Sequence, residues 1–221
     1  MMNKAPDEKK FLKLREKMVK TQIVARNIRN RAVIQNMREI PRHLFVPPEY
    51  LERSYDDSAL PIKAQQTISQ PYIVALMSET LAIEPHHKVL EVGTGSGYQT
   101  ALLSRLADAV YSVEIIPALM NTAQKLLKQL KCANIHFKLA DGTLGWKDAC
   151  PFDRIIVTAA PITIPQYLID QLKKGGRLIL PLGYKTQKLV VIDREMDGKV
   201  VAYSGPSVRF VPMVGIAEQE N

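Results

Sequence analysis

Residues 89–101, VLEVGTGSGYQTA, constrain the fold more than any other stretch. An apolar run closes in Glu91, three glycines follow at alternate positions (Gly93, Gly95, Gly97), and helix formers begin. That succession reads as strand, tight turn, helix. Glycine permits a positive φ and lets a ligand approach the backbone closely. A helix opening after Gly97 aims its unbonded N–H groups at whatever sits in the turn. A nucleotide-type cofactor loop at the carboxyl end of the first strand of an α/β sheet is therefore expected.

The details of the turn narrow the ligand. The dinucleotide fingerprint requires Gly or Ala at its sixth position. Counted from Gly93 that position is Tyr98, and from Gly95 it is Thr100, so both registers fail. Glu91 would repel phosphate, and the loop has no Lys or Arg to offset it. S-adenosylmethionine suits such a loop, because it carries an ammonium and a sulfonium and no phosphate. Residues 110–115, VYSVEI, read as a second strand with Glu114 near its end. Glu114 follows Gly97 by 17 residues, about where such folds set an acid on ribose hydroxyls. A merely structural turn would not account for two acids at two strand ends.

A chain of 221 residues can form one large domain without disulfide staples. Cys132 and Cys150 lie far apart, lack metal-ligand spacing and read as free thiols. With no signal-like or bilayer-length apolar run, a soluble cytoplasmic monomer is expected, with no membrane partner. The net charge of +8 raises nucleic acid as a partner. However, residues 1–20 hold seven Lys/Arg against three acids, which is half of the excess. This is better read as the solvated face of an N-terminal helix, so no nucleic-acid partner is expected.

The whole chain, 1–221, is expected to be one domain. Residues 1–8 should be loose, 9–84 a helical and extended addition, 85–183 the cofactor-binding core, and 184–221 added strands. Helical spacing marks 9–24, 31–40 and 71–81, with Pro71 at the first helical position. Ser69 and Gln70 stand at that helix mouth, where a serine would ordinarily be a cap. His43, between prolines, reads as a packing or surface residue. His86 and His87 are adjacent and are not expected to face one metal, so no metal site is assigned. Strands are expected at 110–115, 135–140, 153–158 and 177–182. Helices are expected at 117–131 and at 164–173, the latter closed by Gly175 and Gly176. Alternating strands and helices imply a mostly parallel sheet. Residues 187–193 and 199–204 read as a hairpin, and 207–214 as a closing strand.

Six segments appear in order: QTISQPYIVALM (66–77), VLEVGTGSGYQTALLS (89–104), ADG (140–142), FDRIIVTAAP (152–161), GGRLILPLG (175–183) and VRFVPMV (208–214). Together they resemble the protein-L-isoaspartate O-methyltransferase family, as does PRHLFVP at 41–47. The glycine loop alone would indicate only a class I methyltransferase; the TISQP segment paired with the closing RFVP is far more specific. The resemblance implies a Rossmann-like α/β fold: a mostly parallel central sheet flanked by helices, with N-terminal helical and C-terminal β additions. It implies methyl transfer from S-adenosyl-L-methionine to the free carboxylate of L-isoaspartyl residues in damaged proteins and peptides. The ester then collapses through a succinimide, which initiates repair.

By the same resemblance Ser69 is assigned to catalysis, and Thr67, Ile68 and Ser69 to the active-site mouth. Glu91, Gly93, Gly95 and Gly97 match the cofactor loop, Glu114 the ribose-binding acid, and Asp141 and Gly142 the segment beside adenine. Ala160 and Pro161 resemble segments bordering the peptide, and Arg209 is a candidate substrate contact. Gln65 departs from the pattern, since many members have Gly there; the path of the loop before Ser69 is the feature this affects. The acceptor carboxyl, with a pKa near ~4, is already ionised at neutral pH. No general base is required, and positioning should dominate. Two rivals remain at this stage: a methyltransferase acting on nucleic acid, and a non-catalytic cofactor-binding module. Against the first, the fourth strand ends in TAAP (158–161), which lacks the Asn/Asp-Pro-Pro-aromatic turn of amine methylation.

Overall fold

Strand residues 89–92, 110–113 and 155–157 are mostly apolar and buried because both faces of their strands are covered. The structure, a computed structural model, describes residues 8–215. Helices α1 (Glu8–Met18) and α2 (Arg31–Glu39) come first. Two-residue strands β1 (Leu60–Pro61) and β2 (Thr67–Ile68) pair antiparallel, and α3 (Pro71–Thr80) follows. The core then alternates: β3 (Lys88–Val92), α4 (Tyr98–Ser104), β4 (Ala109–Glu114), α5 (Pro117–Gln129), β5 (Ile135–Leu139), β6 (Phe152–Val157), α6 (Gln166–Asp170) and β7 (Leu172–Leu182). Strands β8 (Gln187–Arg194) and β9 (Val200–Val208) complete the described chain.

Seven strands form one sheet in the order β5-β4-β3-β6-β7-β8-β9. The first five are parallel and the last two antiparallel. This is the Rossmann-like arrangement expected, with the C-terminal hairpin added at one edge. Period-2 alternation sends Val89, Ile156 and Ile179 toward Met77, Leu81 and Leu103 of the α3/α4 layer. Leu90, Val92, Ile155 and Val157 point the other way, toward Leu168 and Ile169 of α6. Phe11, Met18, Ile23, Val33 and Met37 of the N-terminal helical segment pack with Tyr98 and Leu102 of α4 and Leu127 of α5. Their burial leaves Lys9, Lys10, Lys13, Lys17 and Lys20 exposed, so the basic residues do form a solvated face.

Several boundaries differ from expectation. Residues 1–7 of the expected loose segment lie outside the described residues, and Glu8 already opens α1. After Met18 the helix widens into a π turn, Val19–Ile23, and tightens into a 3-10 turn, Val24–Arg26. Gly175 and Gly176 do not close a helix. They lie within β7, where the pairing with β6 slips register between Phe152 and Arg154. The helix before them therefore spans only Gln166–Asp170. Past Val208 the chain leaves the sheet. Residues 209–214 are not a strand but a strap, joined by an isolated bridge between Pro212 and Ala160.

Candidate active site

From β3 the chain moves outward to β4 and β5, then returns to β6 on the other side of β3. Such a reversal opens a crevice at the carboxyl ends of the strands. Two backbone bonds carry the ladders just past the strands: Gly93 N donates to Val113 O (2.8 Å) and Thr158 N to Val92 O (2.9 Å). The cleft beyond them is walled by Thr67, Gly93, Gly95, Glu114, Gly142, Thr158 and the strap at 211–214. Met213 N donates to Ala160 O and Ala160 N to Val211 O, both at 2.8 Å, which holds the strap across the end of the sheet. Among the described residues no Lys or Arg lines the cleft, and Glu114 is the one ionisable residue on its walls.

The glycines answer different needs. Gly93 has φ +97°, and a Cβ there would meet Thr158 Oγ1 at 2.3 Å, so no other residue fits without displacing the threonine. That hydroxyl donates to the Gly93 carbonyl (2.7 Å) and clamps the turn. At Gly95 a Cβ would meet nothing within 4 Å, so this turn faces open space. Gly97 lies against Ala123 and Leu127 of α5 and lines neither the cleft nor its inner end.

Glu91 and Glu114 part company here. Glu91 is fully buried, on the face of β3 that looks toward α4, and it does not line the cleft. Its Oε2 accepts from Thr100 Oγ1 and Ser112 Oγ, each at 2.6 Å, and Ser112 Oγ also meets Thr94 Oγ1 at 2.6 Å. Burial pushes its carboxyl up to about 8, against the smaller opposing effect of those two hydroxyl bonds. Burial favours the neutral acid, and Glu91 lines neither space, so of the two acids expected beside the loop only one borders the cleft. Glu114 stands at that side. Its Oε2 accepts from Gly95 N (2.8 Å), and its Oε1 from Ile115 N (3.0 Å) and Ile116 N (2.9 Å). A carboxyl group offers about four acceptor sites, and Oε2, with one bond, keeps capacity for another.

Thr67, Ile68 and Ser69 line the inner end of the cleft beside Gly93, Gly95 and Tyr98. Thr67, Ser69 and Phe210 also line an outer groove with Gln70, Ser207 and Arg209. Ser69 therefore stands on the wall between the two. It is not the helix cap: α3 begins at Pro71 and its N-cap is Gln70, which makes no capping bond. The Gln70 amide instead donates to Asp57 O and Oδ1. Ahead of this corner, Ala64 and Gln65 both have φ of +57°, so the position where glycine was the pattern does adopt a left-handed backbone.

Of the remaining expected site residues, Gly142 lines the cleft and packs against Val92, where a Cβ would approach at 2.4 Å. Asp141 is not on the cleft wall. It caps the next turn, its Oδ1 accepting from Thr143 N and Oγ1. Ala160 and Pro161 are buried behind the strap and line neither space; Ala159 does line the cleft. Arg209 is exposed on the outer groove.

Glu84, His86 and His87 bring ligand-type atoms within 4.8 Å of one another, contrary to the expectation for the adjacent histidines. His87 Nδ1, however, accepts from Glu84 N (2.9 Å), which leaves its proton on Nε2 and no free lone pair for a metal. His43 is a packing residue, stacked on Phe11 at 4.2 Å and bonded to Tyr55 Oη at 2.9 Å.

Two site residues escaped the sequence reading. Thr158 could have been found, since it is the residue past β6 at the reversal point. Arg42 could not. It is fully buried, and its guanidinium donates to Ser69 O and Ser54 O, both at 2.8 Å.

Known proteins resemble this chain over most of its length. The family model for protein-L-isoaspartate(D-aspartate) O-methyltransferase matches residues 13–218. A protein-L-isoaspartate O-methyltransferase 1 of Syntrophobacter fumaroxidans is 50% identical over 206 residues, covering 93% of this chain and 96% of its own. A protein-L-isoaspartate O-methyltransferase of Geobacter metallireducens is 46% identical over 202 residues, covering 91% and 94%. A solved protein-L-isoaspartate O-methyltransferase superposes with a TM-score of 0.82 at 29% identity, covering 91% of this chain and 66% of the other. A beta-aspartate methyltransferase from Plasmodium falciparum, solved with S-adenosyl-L-homocysteine, superposes at 0.80 and shares 24% identity over 90% of this chain and 98% of its own. This chain belongs to the protein-L-isoaspartate(D-aspartate) O-methyltransferase family.

Proposed function

We propose that the chain methylates the free carboxylate of L-isoaspartyl residues at the Ser69 corner, with S-adenosyl-L-methionine in the glycine-loop cleft. Bound there, the cofactor supplies a methyl group activated on a sulfonium. The cleft fits such a group: open space at Gly95, an acceptor at Glu114 for ribose hydroxyls, and, among the described residues, no cationic side chain that would mark a phosphate site. Ser69 donates a hydrogen bond from its hydroxyl to the acceptor carboxylate and aims one oxygen into the cleft. No residue has to remove a proton, because the acceptor is already an anion. The peptide on either side of the isoaspartyl residue lies in the outer groove beside Arg209. Glu91 acts from beneath, through Ser112 and Thr94, by shaping the turn. Asp141 fixes the turn that presents Gly142 to the adenine.

The observation that carries this reading is the position of Ser69, shared by the inner end of the cleft and the outer groove. The cleft draws on residues before 84, between 85 and 183, and after 184, which supports reading 1–221 as one functional unit. Among the described residues no helix is long and apolar enough to cross a membrane. Both cysteines are free thiols, which supports a reducing compartment, the cytoplasm.

The test uses methyl-labelled cofactor and peptide pairs differing only in aspartate versus isoaspartate. Base-labile label on the isoaspartyl member alone is expected; equal labelling of both, or label on RNA instead, would contradict the proposal. Ser69→Ala should lower kcat by roughly 10- to 100-fold and leave S-adenosyl-L-homocysteine affinity within a few fold. Unchanged turnover would remove the role given to Ser69.

A further inference from the structure

Arg42 belongs to the expected PRHLFVP segment, yet it lies in the interior, with none of its surface exposed. Among the described ion pairs none involves it. Its Nε donates to the carbonyl of Ser54 and one terminal nitrogen to the carbonyl of Ser69, each at 2.8 Å. The other terminal nitrogen is buried without a hydrogen-bond partner. The guanidinium carbon sits 4.8 Å from the ring centroid of Tyr98. Tyr98 is the first residue of α4, directly after Gly97, and lines the inner end of the cleft with Ser69.

A buried cation held by two carbonyls and by Tyr98, with no carboxylate partner among the described ion pairs, is a costly way to fill space. Burial shows in its guanidinium, which is lowered to about 10. An apolar side chain of similar volume would serve packing as well or better. What an apolar side chain cannot do is hold two carbonyls from segments 15 residues apart in sequence in one plane. The guanidinium fork does so, and an ammonium does not.

We infer that Arg42 is a positioning residue for methyl transfer: it fixes the backbone of the Ser69 corner against Tyr98 at the mouth of the glycine loop. It touches neither donor nor acceptor and acts through Ser69. The inference rests on the reading of Ser69 given above. Lysine at this position keeps the charge but loses the second carbonyl and the flat face on Tyr98, so the corner loosens and Ser69 loses its aim.

The experiment is a double-mutant cycle on the full chain with an isoaspartyl peptide: parent, R42K, S69A and R42K/S69A. Each is followed by steady-state kinetics, calorimetry with S-adenosyl-L-homocysteine and a thermal melt. R42K is expected to lower kcat at least tenfold with S-adenosyl-L-homocysteine affinity within threefold. In the S69A background the same change should cost less than threefold, because the group being aimed is gone. Were R42K to unfold, R42M takes its place in the same cycle, since it removes the buried charge and keeps the stem. A parent-like kcat for R42K overturns the inference. So does an equal loss in both backgrounds, which would mark Arg42 as general scaffolding while leaving Ser69's role standing. A fully active S69A removes both the Ser69 assignment and this inference.

Discussion

Glu91, one residue before the end of β3, and Glu114, the last residue of the neighbouring parallel strand β4, are treated in opposite ways by the chain. Glu91 pairs in register with Ser112 of β4, so Glu114 stands two residues further toward the carboxyl end. Those two residues carry it out of the layer beneath α4 and to the level of the glycine turn, where Gly95 N reaches it. Glu91 stays beneath the helix, given two hydroxyl donors and no backbone N–H. One acid is a buried tie between sheet and helix whose carboxyl burial has raised; the other is an acceptor on the wall of the cleft. Residue type and a place near a strand end do not decide which acid borders the cleft; depth along the strand does.

The comparison breaks most directly on stability against pH. The Glu91 carboxyl is raised from 4.5 to about 8 in the folded state. The folded chain therefore holds a proton that the unfolded chain gives up, and stability falls as pH rises through that window. At 1.36 kcal/mol per unit, the loss between pH 4.5 and 8 is on the order of 4 kcal/mol. Glu91→Gln should abolish this part of the slope, with S-adenosyl-L-homocysteine affinity changed less than threefold. Urea unfolding at a series of pH values checks it. An unaltered slope would mean that Glu91 is ionised in the fold.

Glu114→Ala should behave in reverse. Affinity for S-adenosyl-L-homocysteine should fall on the order of 30-fold, about 2 kcal/mol, the scale of charge-assisted hydrogen bonds. Calorimetry measures it, and unchanged affinity would remove the ribose assignment. A smaller effect sharpens the account of Glu91. Thr100→Val removes one hydroxyl donor at nearly constant volume. It should cost about 1 kcal/mol at neutral pH and push the Glu91 carboxyl higher still. A stability gain would show that the hydroxyl does not hold Glu91.

Much of the fold was legible because its signals are local. Apolar runs marked β3, β4 and β6, and the glycine turn marked the reversal point. Pro71 marked the start of α3. The cleft wall was legible where one residue's chemistry sufficed, as with Gly93, and the resemblance pointed to Ser69, which lines the two adjoining spaces. What stayed hidden depends on contacts between distant segments. Nothing around Arg42 in sequence announces that it will reach Ser69. Gly175 and Gly176 look like a helix stop, yet they serve a register slip against β6. The burial of Glu91 was readable in principle, since Val89 and Glu91 share a face of the strand; treating the residue as the end of the run obscured it. Gln65 stands in a left-handed backbone that glycine would enter more readily, a property of the path between β1 and β2.

The most direct measurement is a crystal structure with S-adenosyl-L-homocysteine bound. The expected result has the ribose hydroxyls within hydrogen-bond distance of Glu114, the sulfur facing Ser69, and Glu91 still beneath α4 on Thr100 and Ser112. A ligand seated away from Gly95 and Glu114, or a Glu91 carboxylate in direct contact with it, would contradict the account.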